Sequence, residues 1–244
     1  MKIISIENTT LCAGNCIMCV RDKYTGLLTH MKQELFEKCV VESAQCGVEM
    51  MTLTGFGEPL MDPELERKLV YVKENYPHIK LALTTTGHRL SGHILEIICT
   101  YLDEINFSMY GIHKETYEHV HGGSLKYEEN KINIDNFLKL EKRPAVVMSY
   151  LDMPDTHDEM EEWKSFYEEK VEQINIWKLN RWPHSDDSDL SFRQKAPCRC
   201  LRLDTLNGLY IKVNGEVSPC CYDFNTELSL GNIEESTLQE FIDG

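Results

Sequence analysis

Three cysteines near the start of the 244-residue chain carry the strongest chemical signal. Cys12, Cys16 and Cys19 are spaced C-x3-C-x2-C, just beyond a β-rich run, in a loop that includes Gly14 and Asn15. Three thiolates so close in sequence can converge on one face of a cubane, and cysteine thiolate is the usual ligand of iron–sulfur clusters. Three ligands on four irons leave one iron open to a small molecule. Two plainer readings compete: small buried cysteines, and a Cys3His zinc site with His30 as the nearest histidine. A second group, Cys198, Cys200, Cys220 and Cys221, brackets Asn214-Gly215. Adjacent Cys220 and Cys221 point in different directions in extended chain, so they are not expected to share one cluster. Thr54-Gly55-Phe56-Gly57-Glu58-Pro59 combines glycines, which let backbone approach a ligand, with a carboxylate able to accept from an ammonium group. A plain strand-to-helix turn is the alternative. Thr84-Thr85-Thr86-Gly87, Ser108 and Ser149 place hydroxyls at strand ends, where they can bind a ligand or cap the chain. Metal ligation by His113, His119 and His121 is the weaker reading beside surface or core histidines. Tyr110 is read as a packing residue, and Cys39, Cys46 and Cys99 as core residues on helices.

The elements that must position these groups alternate between β-rich and helical patterns. Strands are predicted at Lys2–Glu7, Met50–Thr54, Leu81–Thr85, Glu104–Met109, Ala145–Tyr150 and Gln173–Leu179. Helices are predicted at Lys32–Cys46, stopped by Gly47, and after Asp62-Pro63, read as a cap and first-turn proline. Further helices are predicted near Ser91–Tyr101, Lys114–His119, Asn130–Glu141 and Asp158–Glu169. The acidic stretch Asp155–Glu162 is read as a solvated helix start. Six β units with helical crossovers imply a parallel sheet covered by helices. Six is too few to close an eight-stranded barrel, so an open, partial (β/α)6 barrel follows, with its site at the C-terminal strand ends. Arg181–Pro197 breaks the rhythm and reads as a linker. Beyond it, Leu209–Val213 and Glu216–Ser218 flank Asn214-Gly215, a hairpin signal, and a short helix is predicted at Glu235–Ile242. The expected organisation is α/β: residues 1–180 a partial barrel, 181–197 a linker, and 198–244 a small hairpin-plus-helix extension.

A net charge of −15 disfavours general binding to nucleic acid or anionic lipid. No apolar run is long enough to cross a membrane, and the early charges Lys2 and Glu7 do not suit a signal peptide. A cytoplasmic location is expected. Ten cysteines in that compartment point to metal binding or redox chemistry rather than disulfides.

The segment Leu11-Cys12-Ala13-Gly14-Asn15-Cys16-Ile17-Met18-Cys19 resembles the signature of radical S-adenosylmethionine (SAM) enzymes. The resemblance implies a [4Fe–4S] cluster on Cys12, Cys16 and Cys19, with the open iron chelated by the SAM amine and carboxylate. One electron then cleaves the sulfonium to a 5′-deoxyadenosyl radical, which abstracts a hydrogen atom from substrate. Many members have an aromatic residue just before the third cysteine; Met18 stands there in this chain and can pack against adenine. Gly57, Glu58 and Pro59 resemble the family's Gly-Glu-Pro motif at the SAM amine, and Thr85 and Ser108 are implied as ribose or carboxylate contacts.

The stretch Asn214-Gly215-Glu216-Val217-Ser218-Pro219-Cys220-Cys221, followed by Leu230-Gly231-Asn232-Ile233, resembles the SPASM or twitch extension. That extension implies a second iron–sulfur cluster, with Cys200 and Cys220 the leading ligands and Cys198 and Cys221 behind them. The family usually supplies further cysteines after Gly-Asn-Ile, and this chain has none before Gly244. Truncation, unusual ligation or absence of that cluster would each account for this. The expected activity is oxidative modification of a small molecule or peptide, fed by a flavodoxin- or ferredoxin-type electron donor. A short twitch-like tail leans toward sugar or aminocyclitol dehydrogenation. The alternatives are a glycyl-radical-enzyme activase and, in a different class, a non-catalytic zinc-binding module.

Overall fold

The β-rich runs become a single sheet in the computed structural model, which describes residues 2–179 and 208–243. Six strands lie parallel: β1 (Ile3–Ile6), β2 (Met50–Leu53), β3 (Lys80–Thr85), β4 (Glu104–Ser108), β5 (Ala145–Asp152) and β6 (Gln173–Lys178). They stand in the order β6-β5-β4-β3-β2-β1, each beside its predecessor in sequence. Crossovers between parallel neighbours are right-handed as a rule, which puts the described helices that connect them on the same face of the sheet. Those helices are α1 (Gln33–Gln45), α2 (Leu65–Asn75), α3 (Gly92–Tyr101), α4 (Lys114–Val120), α5 (Tyr127–Leu138) and α6 (Met160–Tyr167). The expected α/β architecture of parallel strands with a C-terminal hairpin and helix is therefore borne out.

Strand alternation divides the residues between two environments. Ile4, Ile6, Met51, Leu53, Leu81, Leu83, Ile105, Phe107, Val146 and Met148 join the core under the helices. Ser5, Thr52, Thr84 and Asn106 face the other way and are only partly buried. No described helix covers this face, which carries these small polar side chains, and across it the Ser149 hydroxyl donates to Asn106 Oδ1 at 2.8 Å. Glycine ends α1 as expected: Gly47 takes φ 66° and its N–H returns to the Ala44 carbonyl at 3.1 Å.

The C-terminal part continues the same sheet. Strand β7 (Tyr210–Ile211) pairs in parallel with β1, and β8 (Glu216–Ser218) then folds back antiparallel on β7 through Asn214-Gly215. Strand β9 (Gly231–Asn232) and helix α7 (Leu238–Asp243) follow. The expected linker Arg181–Pro197, with Cys198 and Cys200, lies outside the described residues.

Two local expectations are corrected. Asp62 does not cap α2, whose N-cap is Glu64. The Asp62 carboxylate is buried instead, 2.6 Å from Lys68 Nζ and 3.0 Å from Asn8 Nδ2, and it also accepts from the Glu64 N–H. Proline 59 starts a separate 3-10 turn, Pro59–Met61, ahead of it. The acidic stretch is not merely solvated. Glu159 reaches across to α4, accepting from the Ile112 and His113 N–H groups and from the Thr116 hydroxyl. It thus satisfies donors that the start of α4 leaves open.

Candidate active site at the strand ends

The loop bearing Cys12, Cys16 and Cys19 runs from the end of β1 and is fastened by two neighbouring loops. The loop after β2 holds one side: the Glu58 N–H donates to the Leu11 carbonyl at 2.8 Å. Gly57 lies so close that a Cβ there would fall 2.3 Å from the Thr9 carbonyl oxygen, so only glycine permits this contact. The turn after α4 holds the other side. Ile17 N–H donates to the Val120 carbonyl at 3.0 Å, and Asn15 N–H to the Ser124 hydroxyl at 2.8 Å. Gly122, at φ 63°, would drive a Cβ to 1.9 Å from the Asn15 carbonyl oxygen. Arg21 ties the cysteine loop to the loop after β2, donating to the Thr10 and Phe56 carbonyls at 3.1 and 3.2 Å with its guanidinium over the Phe56 ring.

Each of the three cysteines is partly buried and outside any disulfide. The sulfurs of Cys12 and Cys16 would both lie 3.4 Å from a Cβ at Gly14, and so are at most twice that distance apart. Burial raises the thiols of Cys12 and Cys19 above their ordinary value. Cys16 is pushed up to about 12, first by burial and then by Cys19 and Cys12 beside it. Metal binding would exchange those protons for iron. Among the described residues, no three His, Cys, Asp or Glu side chains converge as a single ion requires. His30, the candidate fourth zinc ligand, is directed to Asp62 at 4.0 Å. A cubane distributes its thiolates over separate irons, so the spread sulfurs of one loop fit it better than they fit one zinc ion.

His121, which the sequence offered only as a weak metal ligand or a surface or core histidine, meets the cysteine loop directly. Its side chain is fully buried, with Nδ1 3.1 Å from Cys16 Sγ. The ring stacks on Tyr110 at 5.7 Å and 7°, and packs against Tyr117. Burial drives its pKa down to about 3, so the imidazole is neutral. A neutral ring protonated on Nδ1 donates to a thiolate, which has no proton of its own. The other two histidines are surface groups, His113 against Glu162 and His119 against Asp155.

Glu58 is buried and its carboxylate is heavily engaged. It accepts from the Thr85 hydroxyl at 2.5 Å, from the Thr86 N–H and hydroxyl at 2.8 and 2.9 Å, and from the Leu60 N–H at 3.3 Å. Four donors fill the usual capacity of a carboxylate. Glu58 thereby ties the loop after β2 to the end of β3. Thr85 is spent in the same way, since its hydroxyl also accepts from the Gly87 N–H at 2.9 Å. Pro59 is buried beside them. Ser108 ends β4 and hydrogen-bonds the Tyr110 side chain, whose phenol is raised by burial.

A cavity of about 350 Å³ opens between the ends of β1 and β2 and the hairpin. Thr54, Gly55, Phe56, Tyr110, Lys212 and Tyr222 are on its wall, as is Cys221. Tyr110 is therefore both a packing residue and a cavity residue. Cys220 lines a different cavity, as the divergence of adjacent side chains requires. The hairpin end is pinned to the cysteine side by a stack of Tyr24, Phe56 and Phe224, and by Asn225, which binds the backbone of Lys23 and Thr25.

Residues 6–167 match the family model described as the radical SAM superfamily, and residues 189–244 match an iron–sulfur cluster-binding domain, SPASM. The GTP 3′,8-cyclase of Psychromonas ingrahamii is 30% identical over 129 residues, covering 51% of this chain and 37% of that protein. The chain thus spans well under half the length of that curated relative. Streptococcus suis SuiB bound to S-adenosylmethionine superposes with a TM-score of 0.79 at 14% identity, over 98% of this chain and 64% of SuiB. BtrN in complex with AdoMet and 2-DOIA superposes with a TM-score of 0.66 at 16% identity, over 100% of this chain and 82% of BtrN. At such identities the two structures establish a shared fold.

Proposed function

The chain belongs to the radical SAM superfamily, and from that premise we propose that it abstracts a hydrogen atom from a small-molecule substrate in an oxidative modification. The family uses a [4Fe–4S] cluster and SAM, and the SPASM domain binds further iron–sulfur clusters. When bound, the cluster supplies the electron that cleaves SAM to a 5′-deoxyadenosyl radical. Cys12, Cys16 and Cys19 would hold it. One observation carries this reading: the cysteine loop is backed by the Gly57–Glu58 loop at the C-terminal ends of a parallel sheet, where such folds bind ligands.

The chain's own residues then have separable tasks. Gly57 and the Glu58 N–H fix the cysteine loop to the end of β2. The Glu58 carboxylate holds the end of β3 against the same loop, so its part in SAM binding is to position backbone rather than to meet an ammonium with a spare lone pair. Ser108 and the other small polar residues of the uncovered face leave room for a ligand with hydroxyl and amino groups. The cavity volume lies near the lower end of small-ligand pockets, about 300–1,000 Å³, which favours a sugar-sized or aminocyclitol-sized substrate over a peptide. SuiB, bound to a precursor peptide in one of its structures, keeps a peptide substrate as the rival. Cys220 and Cys221, with Cys198 and Cys200, are the candidates for an auxiliary cluster that takes up the substrate electron. A flavodoxin- or ferredoxin-type protein would supply the first electron.

Anaerobic reconstitution tests this. Iron and sulfide with 5′-deoxyadenosine formed from SAM is the expected result. Tightly bound zinc, with neither iron nor SAM cleavage, would return the chain to the zinc-module reading.

A further inference from the structure

The residue that follows strand β7, Lys212, brings a charge to the cavity at the strand ends. Ile211 is fully buried in the core. Alternation therefore turns its neighbours Tyr210 and Lys212 to the opposite, uncovered face. Both line the cavity of about 350 Å³, together with Tyr110 and Tyr222. Lys212 retains only 7% of its surface, yet among the described residues its ammonium has no hydrogen bond and no carboxylate within 4.0 Å. Among the described residues, the one other lysine that is nine-tenths or more buried, Lys68, is paired with Asp62. The ammonium of Lys212 is not sealed away from solvent, and the residue lines the wall of the cavity.

The charges around it do not cancel it by contact. Among the described residues the one carboxylate on this cavity's wall is Glu7, and it is committed to backbone: Oε1 accepts from the Phe56 N–H at 2.7 Å and Oε2 from the Val213 N–H at 3.2 Å. Lys212 also borders a smaller cavity of about 220 Å³ beside Glu216, whose carboxylate accepts from the Asn214 amide at 2.9 Å. A charge removed from water without a partner is unfavourable, and a bound anion would supply the partner. The aromatic walls would exclude water around the pair and strengthen it.

We infer that Lys212 is the anion-binding residue of the substrate cavity, and that the substrate carries an oxyanion group, a phosphate or a carboxylate. This rests on the proposed radical function and names the class of substrate that serves it. The lysine would anchor the charged end of the substrate against β7, leaving the neutral end to face the cysteine loop. It makes Lys212 a substrate-positioning group rather than a participant in hydrogen abstraction.

The test uses the reconstituted protein saturated with SAM under anaerobic conditions, with inorganic pyrophosphate and citrate as separate calorimetric probes. The wild type is expected to bind at least one probe at one site, pyrophosphate if the group is a phosphate and citrate if it is a carboxylate. Lys212→Met should weaken that binding by about tenfold or more. Lys212→Arg, which keeps the charge, should stay close to wild type. Iron content and SAM affinity should be equal in all three. Absence of saturable binding of either probe to the wild type overturns the inference, as does equal binding by Lys212→Met. A loss of SAM affinity in Lys212→Met also overturns it, because the lysine would then serve the SAM carboxylate. A chain with no iron–sulfur absorption overturns the radical function itself, whereas a loaded, SAM-binding chain indifferent to Lys212 overturns only the oxyanion subsite.

Discussion

His121→Phe is the perturbation whose outcome the geometry specifies most closely. Phenylalanine keeps a ring between Tyr110 and Tyr117 and deletes the nitrogen 3.1 Å from Cys16 Sγ. It also removes Nε2, which is buried and unpartnered among the described residues, so the fold should not lose stability. A hydrogen bond to a charged acceptor is worth about 1.5–3 kcal/mol. Reduction spreads one added charge over the whole cluster, so on the order of 1 kcal/mol of that follows the electron at one thiolate. For a one-electron couple this amounts to about 40 mV. A donor favours the more negative state, so His121→Phe should lower the midpoint potential by that amount. His121→Asn, whose amide nitrogen falls near the place of Nδ1, should restore part of it. The assay is an anaerobic redox titration followed by electron paramagnetic resonance, with SAM addition used to identify the signal of the SAM-binding cluster. An unchanged potential in His121→Phe, with the cluster intact, would refute the reasoning.

Other substitutions probe the supports of the site. Glu58→Gln turns one acceptor of a four-donor carboxylate into a donor and should cost about 2–3 kcal/mol of unfolding free energy in urea melts; wild-type stability would contradict the clamp. Gly57→Ala forces the loop after β2 off the Thr9 carbonyl and should reduce iron loading on reconstitution, read as iron per chain; full loading would mean that the contact is dispensable. Lys68→Met strands the buried Asp62 carboxylate and should cost about 3–5 kcal/mol, with Asp62→Asn in the same chain recovering part of the loss in the same melts.

What the sequence made legible was local. The periodicity gave all six parallel strands within a few residues, Asn214-Gly215 gave the β7–β8 turn, and Gly47 gave the end of α1. Three cysteines in one short loop marked the candidate cluster site because the chemistry proposed for them depends on nearness along the chain. What remained hidden depends on contacts between distant segments. His121 meets Cys16 across 105 positions, and nothing in the periodicity of α4 marks that contact. Asp62 has the residue type of a helix cap, yet a buried lysine and Asn8 claim it. Glu159 looked solvated because the α4 donors it serves lie 43 to 47 residues away. Lys212 follows a strand of only two residues, too short for alternation to assign its face until Ile211 is seen in the core.

Everything proposed for the site depends on which sulfurs hold the SAM-binding cluster. The most direct measurement is iron and sulfide content, with 5′-deoxyadenosine yield, in a Cys12→Ala, Cys16→Ala, Cys19→Ala triple variant beside a variant lacking Cys198, Cys200, Cys220 and Cys221. The triple variant should lose about four irons per chain and all SAM cleavage, while the other keeps both the SAM-responsive signal and 5′-deoxyadenosine formation. Retention of iron and SAM cleavage by the triple variant would contradict the account.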